Sequence, residues 1–390
     1  MDTIPYWLDA PYEPRPPLSG EVHVEACVIG AGVAGLSCAR RLAEHGIETI
    51  LLEAGTVAGG ASGRNGGFLI AGTALFHNDA RRRLGVERAI AMYAATLDAQ
   101  EEIVALAAEL GAGDALRRVG LLRLATSEEE AEHVRGHVAA LTADGFEAET
   151  VERDELPEAL RRSGLVGCLT RHDCVLHPVR WYRMLAAAAE AAGARICEGT
   201  CVAPPVSAPG DGPVTSEGGS VHASHVVVAA DGALPRLVPE YGSRVRARRL
   251  HMVATEPLPP AVDRMVYARW GHEYLQQRPD GRILAGGFSD LDGDASYTDG
   301  ETGNPLVWDR VESYLRDDLG TTPRITHRWT GVVGYSHDSL PYVGEVPGRR
   351  GLHVAGGYSG HGNVPGFMAG RDIADTIAGR PPKPLFPADR

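Results

Sequence analysis

Three glycines, Gly30, Gly32 and Gly35, stand in G-x-G-x-x-G spacing directly after the apolar run Ala26 to Ile29, and an acid, Glu53, follows eighteen residues after Gly35. Residue types at this spacing can hold a phosphate and a ribose. Gly30 permits a tight turn, Gly32 lets the backbone approach a pyrophosphate, and Gly35 lets a helix pack on the strand, so that the helix N-terminus faces the phosphate charge. Ala31, Val33 and Ala34 complete that turn. Glu53, beside Ala54 at the end of a second strand, Glu48 to Leu52, can accept hydrogen bonds from both ribose hydroxyls and would repel a 2'-phosphate. Such spacings arise by chance in a chain with 48 glycines. Here the strand, the helix and the acid at the required distance supply the context that marks dinucleotide binding.

Two further glycine loops carry polar groups. Residues 59 to 72, GGASGRNGGFLIAG, place Ala61, Ser62, Arg64, Asn65, Gly66 and Gly67 in one bare-backbone loop, which reads as flavin-contacting rather than as a flexible surface loop. Near the carboxyl end, LHVAGGYSGHGN runs from a strand through Gly357, Tyr358, Gly360, His361 and Gly362 to Asn363, a reasonable N-cap with Pro365 in the first turn. That loop aims backbone donors and the positive end of a helix at one spot. Between them, VHASHVVVAADG (221 to 232) is a buried strand that delivers Ala230 and Asp231 to a sheet's carboxyl edge, where open α/β sheets place ligands.

The remaining elements position these loops. Residues 1 to 20 are proline-rich and extended, with Tyr6 and Trp7 as packing anchors. Apolar spacing through Ile90, Leu97, Val104 and Leu110 predicts a helix over 84–110 stopped by Gly111. A strand over 119–125 follows, and Ser127 with Glu130 forms a capping box. HPVRWYRMLAAAAEAAGARICEGTCV predicts a helix capped near Gly193 and then a strand leading to Val202. From 244 to 330, strand-like runs alternate with turns, PDG marks a hairpin, and 306 to 319 form a helix.

The 390 residues, 44% hydrophobic, suit two domains. A formal charge of −13 repels duplexes and anionic membranes, so neither nucleic acid nor a membrane is an expected partner, and it mildly favours a cationic substrate such as an amine. Six cysteines form no C-x-x-C pair and no His/Cys spacing fits zinc, so no metal is expected. No signal sequence or long apolar span is evident, and cytoplasmic residence is the simplest expectation.

Taken together, YWLD near the start, GAGVAGLSCARRLAEHG, LLEA, GASGRNGG, ATEPL, DGRILAGG, WTGVVG with DSLPYVG, and LHVAGGYSGHG resemble, over essentially the whole chain, the FAD-dependent oxidoreductases of the D-amino acid oxidase, glycine oxidase and sarcosine oxidase family. The γ-glutamylputrescine oxidase branch is the most similar. The resemblance implies an α/β fold: a Rossmann-like, GR2-type FAD-binding domain (1–83, 160–240 and 331–390) interleaved with an α+β substrate domain on a mainly antiparallel sheet (84–159 and 241–330). It implies that Gly30 to Gly35 hold the pyrophosphate, Glu53 the ribose, the Val202 backbone the adenine, and residues 62–67 and 357–363 the isoalloxazine. The helix near Asn363 would then stabilise charge at the flavin N1 and C2 carbonyl as hydride reaches N5.

The departures are informative. Where amino-acid-oxidising relatives carry an arginine for the substrate carboxylate in W-x-G-x-R, this chain has Val333, which favours an amine without a neighbouring carboxylate. The oxygen-activating lysine of sarcosine oxidases has no counterpart, since the chain's one lysine is Lys383. His251 or His361 is the expected substitute cation, or the electrons go to an acceptor other than O2. The residues that some relatives link to flavin are missing, so the FAD is expected to be non-covalent. Tyr274 aligns with a substrate-contacting tyrosine or is a strand aromatic packing in a lobe interface; His361 reads as a flavin neighbour rather than a proton acceptor, and His251, Trp270, His272 and Tyr335 are either substrate contacts or packed residues. The expected reaction is oxidation of an amine to an imine that hydrolyses, with O2 giving H2O2. An amino acid oxidase or dehydrogenase of the same family, a flavin hydroxylase suggested by AADGALPR, a nicotinamide dehydrogenase and a flavin protein without turnover are the alternatives.

Overall fold

The apolar run ending at Ile29 becomes the middle of a parallel sheet. The structure, a computed structural model, describes residues 3–382 and 385–390; Lys383 lies outside them. Strand β1 (Gly20–Ile29) starts at Gly20 rather than Ala26 and buries its last four residues, as a strand with parallel neighbours on both sides must. Its neighbours are β2 (Thr49–Leu52) and β11 (Gly219–Val228). Beyond them lie β9 (Arg195–Cys197) on one side, and β18 (Leu352–Gly356) and β17 (Tyr342–Glu345) on the other, with β10 (Val214–Ser216) paired to β11. Ala26 and Val28 point to a core made with α1 (Val33–Glu44), α6 (Pro178–Ala191) and α9 (Asn363–Ile377). Cys27 and Ile29 point to the opposite core with Val226, Val228 and Leu234 of the short helix α7 (Leu234–Leu237).

The second sheet has eight strands in the order β16 (Ile325–Ser336), β12 (Val245–Pro257), β15 (Arg282–Gly287), β14 (Glu273–Gln277), β13 (Met265–Ala268), β5 (Leu121–Ala125), β7 (Val166–Thr170) and β6 (Glu149–Glu152). All its pairings are antiparallel except β13 with β5. Two strands correct the expected division of the chain. β7, placed by sequence with the nucleotide sheet, belongs to the antiparallel one, and so does β16 through Ser336, past the expected boundary at 331.

Side-chain alternation gives the second sheet two different faces. Leu122, Val253, Val266, Leu275, Ile283 and Ala285 pack against Val307, Val311 and Leu315 of α8 (Pro305–Asp317). The other face carries Met252, Tyr274, Tyr267 and Arg123, which the ladder registers bring into one row through Gly286. A side chain at Gly286 would meet Met252 Sδ at 2.4 Å and the Tyr274 ring at 2.7 Å, so the bare glycine leaves room for both.

A three-stranded sheet, β3 (Phe68–Leu69), β8 (Cys174–Leu176) and β4 (Leu116–Arg118), links the halves. Of the helices α2 (Ala61–Arg64), α3 (His77–Leu84), α4 (Val86–Glu109) and α5 (Glu128–Ala143), α3 packs on α4 and α5, and α5 packs on β5 and β7. The helix expected over 84–110 is α4. At α5, Ser127 Oγ accepts from Glu130 N at 3.2 Å, but the reciprocal bond differs from a standard capping box. Glu130 Oε2 takes the N–H of Thr126, and Oε1 reaches across to the N–H of Trp270 at 2.5 Å.

His353 on β18 is 4% exposed, and neither ring nitrogen has a hydrogen-bond partner among the described residues. Burial, reinforced by His225, pushes its pKa down to about 4. The folded chain therefore stays neutral here, while an unfolded chain takes up a proton below about pH 6.5. Stability from this group is complete above pH 6.5 and declines as pH falls toward 4. We expect His353→Leu to flatten the fall in urea-unfolding free energy between pH 7 and 5 by about 2 kcal/mol; an equally steep fall in the variant would refute this.

Candidate active site

One cavity of about 980 Å³ runs between the two large sheets and is the place where the three glycine loops meet. At one end lie Glu53, Ala54, Thr200, Cys201 and Val202; in the middle Gly30 to Ala34, Ala61, Ser62, Ala230 and Asp231; at the other Arg64, Asn65, Gly66, Tyr358 and Gly360 to Asn363. Gly35, Gly67 and Gly357, also expected to touch the cofactor, stand behind this lining. A side chain at Gly35 would lie 1.8 Å from Gly30 O, one at Gly67 2.4 Å from Leu176 O, and one at Gly357 3.0 Å from the Val245 side chain. These three are packing positions.

The end expected to take the adenosine is prepared by backbone donors. Glu53 Oε2 accepts from Ala31 N at 2.7 Å and Oε1 from Gly55 N at 2.8 Å, which orients the carboxylate and leaves each oxygen a further lone pair for a ribose hydroxyl. Burial raises its pKa against the pull of those two N–H groups. In the phosphate region a side chain at Gly32 would meet only Ser62, at 2.9 Å from Oγ, and would otherwise project into the cavity. Ser62 Oγ accepts from Val33 N at 2.9 Å, at the first residue of α1. An open glycine backbone at a helix N-terminus beside a ribose-side acid fits FAD.

At the other end two asparagines hold the loops rather than present free amides. Asn65 Oδ1 accepts from Gly67 N at 2.8 Å and its Nδ2 donates to Ser62 O at 2.8 Å, while Trp7 Nε1 donates to Asn65 O at 2.7 Å. Asn363 was expected as the N-cap of α9; the cap is Gly362, and the Asn363 side chain instead accepts from Tyr182 Oη at 2.7 Å and donates to Phe68 O at 2.6 Å. Arg64 lines the cavity, but its guanidinium is occupied by Gly59 O, Thr330 O and Glu301. Asp231, half-buried in the cavity wall, accepts from the backbone N–H groups of Gly334, Gly357 and Tyr358, so it ties β16 to the loop after β18. Burial raises its pKa, opposed by those donors.

Over this end stands an aromatic chamber. Tyr267 and Tyr274 lie 5.8 Å apart, Phe68 is 5.2 Å from Tyr267, and Tyr267 is 6.2 Å from His361. Burial raises the pKa of Tyr267, Tyr274 and Tyr335, so all three remain protonated at neutral pH. His361 lines the chamber, and its Nε2 is buried without a partner among the described residues. Burial, helped by Arg123, pushes its pKa down to about 3. It is therefore neutral at pH 7 and cannot be the expected cation. His251 fails differently: it is fully buried outside the lining, edge-on to Trp308, with Nε2 accepting from Asn304 N at 2.8 Å. Trp270, His272 and Tyr335 line the cavity.

Arg123, Tyr267 and Arg248 also line it and were not anticipated. The available signal was local: LLRLA and RARRLHM place arginines on the same pleat parity as residues that face the chamber.

A cleft lined by three glycine loops and ending in an aromatic chamber walled by the second sheet is the arrangement of a flavoenzyme; a nicotinamide site needs neither the second loop nor the third. The chain belongs to a family of FAD dependent oxidoreductases, whose model matches residues 25–376. It is 28% identical to a probable oxidoreductase, OrdL, of Rhizobium meliloti (strain 1021), over 96% of this chain and 88% of that protein. With the gamma-glutamylputrescine oxidoreductase of Escherichia coli (strain K12) it is 26% identical over 94% of this chain and 87% of the other. Among solved structures, glycine oxidase from Geobacillus kaustophilus superposes with a TM-score of 0.78 at 24% identity, covering 93% of this chain and 96% of that one. The protein is thus an FAD-dependent oxidoreductase with a Rossmann-like cofactor domain. No helix among the described residues is long and apolar enough to cross a membrane.

The cradle makes a direct prediction. Gly32→Ala adds a Cβ that meets only the Ser62 side chain, so the chain should fold with an unchanged circular dichroism spectrum, yet purify with less than about a tenth of the wild-type flavin absorbance, because the methyl group enters the expected pyrophosphate position. Full flavin occupancy in the variant would show that the pyrophosphate lies elsewhere.

Proposed function

We propose that the enzyme oxidises the C–N bond of an amine that has no carboxylate on the reacting carbon, giving an imine that hydrolyses to a carbonyl compound, with the electrons going to O2, to give H2O2, or to another acceptor. The observation that carries this reading is Val333: it lines the cavity on β16, where relatives that oxidise amino acids carry an arginine. The names of two relatives, a gamma-glutamylputrescine oxidoreductase and a glycine oxidase, are consistent with amine or amino acid chemistry.

When bound, FAD supplies the two-electron acceptor. The protein supplies position and a dry, shaped chamber. Phe68, Tyr267 and Tyr274 present ring faces and edges that hold an alkyl amine over the loop 358–363. Among the described residues no carboxylate reaches this chamber: of the acidic lining residues Glu53 lies at the far end of the cavity, Asp231 is consumed by backbone donors, and Asp299 is exposed at the rim. His361, with a pKa near 3, is too weak a base to take the proton of an ammonium ion. The substrate must therefore arrive as the neutral amine.

It follows that kcat/KM rises tenfold per pH unit below the pKa of the free substrate amine, and that the profile moves with that pKa when the amine is changed. A limb fixed near pH 6–7 whatever the substrate would instead reveal a titrating enzyme base. The reaction class is tested by anaerobic bleaching of the flavin band with a panel of alkyl amines, N-methyl amines and α-amino acids, followed by peroxide detection in air. Bleaching by α-amino acids alone would favour a second reading, in which Arg248, directly across the ladder from Val333, takes the α-carboxylate.

A further inference from the structure

Arg123 is the feature of the chamber that the reading above leaves unused. It stands in the centre of β5 between Leu122 and Leu124, both turned to the opposite core, so the pleat commits its side chain to the cavity side of the sheet. Its guanidinium carbon lies 5.3 Å from the Phe76 ring and 5.5 Å from the Tyr267 ring. Among the described residues it makes no ion pair and no side-chain hydrogen bond. Asp173, the acid whose field is felt at the same neighbouring groups, is already satisfied by Ala71 N, Gln100 Nε2 and Thr170 Oγ1. A half-buried guanidinium thus keeps its fork of donors in an aromatic chamber with nothing to receive them, although ring faces partly compensate its charge.

The other cavity arginines differ. Arg246 is exposed and lies over Tyr297 at 3.8 Å, and Arg248 gives Nε to Ser296 Oγ at 3.1 Å beside Tyr297 and Tyr335. These belong to the rim on β12. Arg123 lies at the far side of the chamber, four ladder steps from β12 by way of β15, β14 and β13. At roughly 4.8 Å per step it cannot serve the position that Val333 occupies on β16.

We infer that Arg123 recognises an anionic group of the substrate, and that the substrate is an amine with a carboxylate or comparable anion remote from the C–N bond that is oxidised. Tyr267 neighbours both the guanidinium, at 5.5 Å, and His361 of the cofactor-side loop, at 6.2 Å, and β5 lies four strands from β12, a placement that suits an anion several bonds from the reacting carbon better than one on it. The sign of the chamber agrees: it holds an unpaired arginine and no free acid, which disfavours a diamine despite the net charge of −13 of the whole chain. A planar fork with parallel donors suits a carboxylate.

The inference rests on the amine reading, and the test separates the two. The flavin-loaded protein and its Arg123→Met, Arg123→Lys and Arg248→Met variants are compared on 6-aminohexanoate, pentylamine and 1,5-diaminopentane by the rate of anaerobic flavin reduction. Independently, binding of hexanoate and hexanamide is measured by calorimetry. We expect the wild type to favour 6-aminohexanoate over the diamine at least thirtyfold in kcat/KM, and to bind hexanoate but not hexanamide. In Arg123→Met that preference should collapse to about one, through KM more than kcat, and hexanoate binding should weaken at least thirtyfold. Arg123→Lys should recover part of both, which a purely structural role would not produce. A wild type that prefers the diamine, an Arg123→Met variant that retains hexanoate, or a loss confined to Arg248→Met would each overturn the assignment. If none of the three amines bleaches the flavin, the amine reading fails, and the hexanoate measurement still decides whether Arg123 binds anions.

Discussion

Helix α1 is pressed between two backbones, and the cofactor cleft depends on that contact. A methyl group at Gly35 would sit 1.8 Å from the carbonyl oxygen of Gly30, and one at Gly370 would sit 2.1 Å from that of Ala34. The turn after β1 and helix α9 can approach α1 this closely only because both meeting positions lack side chains. The consequence is geometric: the N-terminus of α1 and that of α9, far apart in the chain, open onto one cavity. Two positive helix ends then face the same cavity, one where the pyrophosphate is expected and one beside the loop 358–363.

The loops that follow these helices are held by hydrogen bonds made from a distance. Trp7 reaches Asn65 from the amino-terminal segment, Tyr182 and the Phe68 carbonyl hold Asn363, and Asp231 gathers three N–H groups from β16 and the loop after β18. Each partner is buried or nearly so, where a lost bond is costly. Preorganisation of this kind is what a flavin site with few reactive side chains requires. The polar groups of the loops serve mainly to fix backbone, which explains why so many residues expected to touch the cofactor are instead occupied with one another.

Charge shows how little a whole-chain sum says about a site. The chain carries −13, yet the aromatic chamber is lined by arginines whose acids, where they have any, lie outside it. Pleat parity is responsible. An acid one position along the strand would project into the α8 core or solvent, so the sign of the chamber depends on three or four residues and on which side of the sheet they fall.

The sequence alone determined the nucleotide half of the protein. Gly30 to Gly35, Glu53 and the loops at 62–67 and 357–363 carry signals that are local: a turn, a helix start and an acid at a set spacing each follow from backbone sterics and short-range hydrogen bonding. Tertiary structure alone decided the substrate half. Tyr274, Tyr267 and Arg123 lie on three strands, two of them joined in parallel across about 140 residues of chain, and they meet only because ladder registers align them. His251 shows the same dependence in reverse, since one step along β12 from Met252 turned it away from the cavity and into the packing against Trp308. No local rule specifies a register between distant strands; the packing of both sheet faces does.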